Sequence, residues 1–114
     1  MRTDLPAKEC RIHMLGGRMQ VKFAFLIMGS FDPGRDCASI CAGEARMIGV
    51  PDIDAACEQA ALLKAEGVGC IELCGAFGEQ GARRVIEATG GSIPVGYVTH
   101  LPEQDALFRA AFGE

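Results

Sequence analysis

The chain has 114 residues, 49% of them apolar and 23% charged, which suits one domain with a core of ordinary size. A net charge of -4, with eleven Lys and Arg residues scattered rather than clustered, argues against a nucleic-acid or anionic-membrane surface. The longest uninterrupted apolar run, Phe23 to Met28, is too short to span a bilayer, and no N-terminal segment has the apolar core of a signal peptide. A cytoplasmic protein is expected.

Met1 to Arg18 has no period of either two or 3.6 and reads as a disordered leader. The Leu-Gly-Gly-Arg before Met19 can be encoded by purine-rich codons of the kind found at a bacterial ribosome-binding site, which points to Met19 as the natural start and to a wrongly assigned leader before it. The expected domain is residues 19–114. Val21 to Met28 is apolar apart from Lys22 and reads as a buried strand. It ends in Gly29-Ser30-Phe31-Asp32-Pro33-Gly34, where Pro33 and Gly34 suit the central positions of a type II turn. Ser30 and Asp32 then lie in a loop at the C-terminal end of the strand, as turn formers or as ligand contacts.

Cys37 to Cys41 and Ala45 to Val50 read as two strands joined by Ala42-Gly43-Glu44, with a helical turn over Asp36 to Cys41 as the rival. Arg46 is expected to be exposed on an edge strand or to reach a carboxylate. Asp52 is a good N-cap for a helix with apolar positions at Ile53, Ala56, Cys57, Ala60 and Leu63, stopped by Gly67.

Val68 to Cys74 reads as a strand in which Val68, Cys70, Glu72 and Cys74 face one way while Ile71 and Leu73 face the other. If helices cover both faces of the sheet, either direction is buried. Glu72 then needs a partner, a proton or solvent, because an unpaired buried carboxylate costs several kcal/mol. Gly75 to Gly81 spaces glycines as G-x-x-G-x-x-G, which is neither the dinucleotide fingerprint nor a P-loop. What remains is a glycine-rich turn into a helix N-terminus, whose amides at Gly75, Ala76, Phe77 and Gly78 suit a carboxylate, phosphate or enolate. Cys74 sits at that strand end, as a packed small residue or as a thiol activated by the helix dipole.

A second helix is expected from Phe77 or Gly78 to Thr89, with Ala82, Val85, Ile86 and Thr89 inward and Arg83, Arg84 and Glu87 outward, before Gly90-Gly91. Ile93 to Thr99 reads as the last strand and delivers Thr99 and His100 to the C-terminal end of the sheet. Pro102 opens a short helix to Phe112, on which Phe108 and Phe112 look like an anchor for a partner surface.

The order strand, hairpin, helix, strand, helix, strand, helix predicts a single small α/β domain, with a mostly parallel sheet of four or five strands and helices packed on it. Open sheet edges and the terminal Phe pair point to a homodimer or higher homo-oligomer.

The segments Met28-Gly29-Ser30-Phe31-Asp32-Pro33, Gly49-Val50-Pro51-Asp52-Ile53-Asp54-Ala55-Ala56, Ile71-Glu72-Leu73-Cys74-Gly75-Ala76-Phe77-Gly78 and Ile93-Pro94-Val95-Gly96 resemble a family of small bacterial proteins classed as a domain of unknown function. The resemblance covers about Met19 to His100 and implies no assigned activity. More loosely, Glu66-Gly67-Val68 to Gly75 and the Ile-Pro-Val strand are similar to the βα units of TIM barrels or of flavodoxin-like sheets, whose sites lie at C-terminal strand ends.

Three function classes follow. The first is a small enzyme acting on an anionic or carbonyl substrate, with Glu72 as general acid or base, Cys74 as nucleophile or proton carrier, His100 nearby and the Gly75 to Gly78 amides holding an oxyanion. The second is a non-catalytic ligand-binding or oligomerising module that uses the same turn. The third is a metal or redox protein built on Cys37, Cys41, Cys70 and Cys74. Without a CxxC pair or a second nearby His, reduced thiols and no metal or other cofactor are the expectation.

Overall fold

A computed structural model describes residues 12–14, 17–19 and 21–113. The expected leader therefore falls largely outside the described residues. Across its end, β1 (Ile12–Met14) and β2 (Gly17–Met19) pair antiparallel, which brings Met19 into register with Ile12.

The domain is built on β3 (Phe23–Met28), β4 (Cys37–Ile40), β5 (Ala45–Val50), β6 (Cys70–Leu73) and β7 (Val95–Tyr97). They form one sheet in the order β4-β5-β3-β6-β7. Three of its four pairings are parallel, and β4 with β5 is the antiparallel hairpin expected from the sequence. Its link is a 3-10 turn, Cys41–Gly43, in which Cys41, Ala42 and Gly43 all take positive φ.

The turn after β3 is not the type II turn expected from Pro33-Gly34. Gly34 is absent from the positive-φ glycines. Asp32 builds the turn instead: its side chain accepts from the Gly34 amide at 3.0 Å, and its carbonyl accepts from the Arg35 and Asp36 amides. A short acceptor at the first position closes a helical turn that asks nothing special of the glycine.

Helix α1 (Ile53–Ala65) starts at the predicted cap, with Asp52 accepting from the Ala55 amide at 2.8 Å. Gly67, at φ +92°, takes the left-handed position just beyond its end. Helix α2 (Gly78–Ala88) follows β6 and stops at Gly90-Gly91, both with φ near +70°. It buries Gly81, Ala82 and Val85, whereas Ile86, expected inward, is 38% exposed. The two helices pack on each other, and Lys64 donates to the Thr89 carbonyl at 2.9 Å to tie their C-terminal ends. Arg84 pairs with Asp54 across them, and Arg83 with Glu79 along α2.

Strand alternation decides the layering. Ala24 and Leu26 on β3, Ile48 and Val50 on β5, and Ile71 and Leu73 on β6 share one face and form a single core with Ala56, Ala60, Leu63, Phe77, Ala82 and Val85. The other face carries Phe23, Phe25, Ile27, Met47, Ile40, Cys70 and Glu72. Among the described residues no helix covers it. Both crossovers, β5 to β6 and β6 to β7, run toward the same edge, and right-handed connections running one way place their helices on one side. The last helix, α3 (Asp105–Phe112), packs on the 3-10 turn Pro102–Gln104 that precedes it.

Candidate functional site

Alternation along β6 puts Glu72 on the open face, with Phe25 beside it on β3 and Gly96 beside it on β7. The carboxylate leans over that glycine: a Cβ at Gly96 would stand 2.8 Å from Glu72 Oε1 and 3.3 Å from its Cδ. A glycine inside a strand signals such a close approach, and Gly96 in the Ile93 to Thr99 strand carries that signal in the sequence. Glu72 is half-buried and, among the described residues, has no hydrogen bond or ion pair. Its oxygens are not buried, so solvent meets them, and neither the backbone nor an Arg or His of the described chain does. Cys70 lies on the same face and is 8% exposed, and burial, with the Glu72 charge second, pushes its thiol up.

Cys74 does not continue the alternation. It lies just past β6 and packs against the helix-side core, where its Sγ accepts a hydrogen bond from the Met28 amide at 3.3 Å. The glycine-rich stretch is a 3-10 turn, Gly75–Phe77, closed by the Phe77 amide donating to the Cys74 carbonyl. The Gly75 and Ala76 amides precede that first turn bond and have no acceptor within the turn. Phe77 is a core residue at 4% exposure and its amide is taken by the Cys74 carbonyl, so it offers a ligand neither its ring nor its N-H, against the expectation. Gly78 takes φ +63°, which turns the chain into α2.

Ser30 and Asp32 follow β3, and Thr99 and His100 follow β7, so both pairs stand at the C-terminal end of the parallel strands, and all four are exposed. Their engagements differ. Asp32 is occupied as a turn former. His100 points to the last helix: its Nε2 lies 2.7 Å from Asp105 Oδ1, and its ring stacks on Phe108 at 4.0 Å. Among the described residues no hydrogen bond joins Glu72, Cys74 and His100 to one another, so the three do not form a relay.

The fold separates the cysteines of the metal or redox reading. Cys37 and Cys41 belong to the β4 hairpin at one edge, and Cys70 and Cys74 to β6, with β5 and β3 between. Three strand spacings of about 4.8 Å put them roughly 14 Å apart, beyond a shared tetrahedral site. Cys41 is also disulfide-bonded, which corrects the expectation of reduced thiols at that position. Cys37 lines a groove on the helix side with Pro33, Ser39, Arg46, Ile48 and Gln59. Arg46 leaves that groove committed, pairing with Glu66 at the end of α1 at 2.5 Å rather than standing free.

The chain belongs to a family of unknown function, DUF6506, whose model matches residues 21–113. No curated protein and no solved structure matches the chain.

Proposed function

We propose that the protein binds a small carbonyl-bearing or anionic molecule where the open sheet face meets the C-terminal ends of β3 and β6, and that Glu72 exchanges a proton with it. The observation that carries this reading is the Glu72 carboxylate itself, seated over Gly96 on an apolar face without a partner among the described residues. A half-buried carboxylate left without a partner in its own described chain is free to exchange a proton, and it is the group that acid-base chemistry next to a carbonyl requires. In this role it takes a proton from carbon adjacent to the carbonyl, and the electron pair moves to the carbonyl oxygen. The Gly75 and Ala76 amides hold that enolate oxygen, and solvent returns the proton. Cys74, fixed by the Met28 amide, lines the strand end as a thiol contact.

Pyruvate in deuterated water tests the reading. The full chain is expected to speed loss of the methyl proton signal, and Glu72→Gln to remove that acceleration while keeping the fold. Exchange that is no faster than in buffer, or that survives Glu72→Gln, overturns the reading.

A further inference from the structure

Two apolar surfaces lack cover among the described residues, and they are complementary. One is the open sheet face, where Met47 is 48% and Ile40 69% exposed. Five strands at about 4.8 Å spacing make it roughly 19 Å wide. The other is α3, whose 3.6-residue period gathers Leu107, Phe108, Ala111 and Phe112 into one stripe. Leu107 is 63% and Phe112 74% exposed. An eight-residue helix spans about 12 Å and is far too short to be stable alone, so its apolar stripe needs something to pack on. Within its own chain it packs on the preceding turn and the His100 ring, and its residues from Ala106 to Phe112 all stay exposed.

Charge selects the occupant. Among the described residues Glu72 is the one carboxylate the strands present on the open face, and any apolar cover laid over it without a cation leaves a desolvated charge. Arg109 sits beside the α3 stripe, one residue after Phe108 and three before Phe112, and has no ion pair or side-chain hydrogen bond among the described residues. Arg46, Arg83 and Arg84 are each already paired.

We propose that α3 of a second copy of this chain covers the open face, reciprocally, with Arg109 of each copy set against Glu72 of the other. Because the contact is isologous it is made twice, which brings two 12 Å helices onto two sheet faces and moves the buried surface toward the ~800 Å² per partner of a stable dimer. The residues from Val98 to Gln104 are exposed and form the arm that carries α3 away from its own sheet. This goes beyond the ligand reading and does not depend on it, since the face needs cover whether or not a small molecule binds.

Sedimentation velocity of the full chain over a range of micromolar concentrations reads the outcome. A dimer is expected. Arg109→Glu is expected to weaken it at least about thirtyfold, as loss of a buried charge partner does. Phe112→Glu, at a position 74% exposed and so harmless to the monomer fold, is expected to weaken it as well. The exchange Glu72→Lys with Arg109→Glu restores opposite charges and is expected to recover most of the affinity. A monomer at every concentration overturns the proposal. So does a dimer indifferent to Arg109→Glu and Phe112→Glu, or one that the charge exchange fails to rescue.

Discussion

Gly49→Ala gives the sharpest test of how the open face is finished at its C-terminal end. Gly49 lies on β5, and Phe31 folds back from the loop after β3 to sit on it. A Cβ at Gly49 would fall 2.6 Å from Phe31 Cγ and 2.7 Å from Phe31 Cβ. Those atoms are the root of the side chain and cannot swing clear while the backbone stays in place. The ring must leave its seat or β5 must shift, an overpacking cost of about 1 to 3 kcal/mol. Unfolding entropy of about 2.1 cal/mol/K per residue converts this to a fall in Tm of roughly 4 to 12 °C for a domain of this length. Thermal and urea unfolding at one fixed protein concentration measure it. In a Phe31→Ala background the same glycine substitution should cost little, so the two changes couple by about 1 kcal/mol or more. Equal cost of Gly49→Ala with and without the Phe31 ring would refute the reasoning.

Gly96→Ala should behave differently, because the atom in its way is the far end of the Glu72 side chain. Stability is expected to stay within about 1 kcal/mol by urea unfolding, since alanine also relieves the entropic cost of a strand glycine, while pyruvate proton exchange falls with the displaced carboxylate. Asp52→Ala removes the acceptor for the Ala55 amide and should cost about 1 kcal/mol, read as a lower urea midpoint at unchanged slope. The Cys70 thiol, raised above its unfolded value by burial first and by Glu72 second, should alkylate only at high pH. Glu72→Gln should move that onset to lower pH, as followed by mass spectrometry of iodoacetamide adducts. The same shift links to stability: the protonated thiol contributes below pH 9, and the contribution is lost as pH rises through the folded value.

Much of the fold was legible in local pattern. The Asp52 cap, the apolar spacing of α1, the Gly67 stop and the β4 to β5 hairpin all depend on residues within a few positions of one another. So did the choice of Glu72, whose place in an aliphatic strand marked it out. The pattern was misleading where one residue type serves two geometries. Gly34 suited a type II turn, yet the Asp32 side chain closed a helical one. Ile86 fitted the inward stripe of α2, but Gly81 and Ala82 let the helix approach on a different side and left it at the rim.

The sequence alone determined the elements and their order, because helix and strand periods are set by neighbours along the chain. Only the tertiary structure decided what those elements leave open. Placing β3 between β5 and β6 sends both crossovers the same way, so α1 and α2 share one face and the other carries Phe25, Cys70 and Glu72 with no helix above them among the described residues. Whether Glu72 is buried, paired or seated over Gly96 depends on a strand 24 residues further on, joined through one helix. No local period encodes that distance, since it is fixed by crossover handedness and strand register acting on the whole chain.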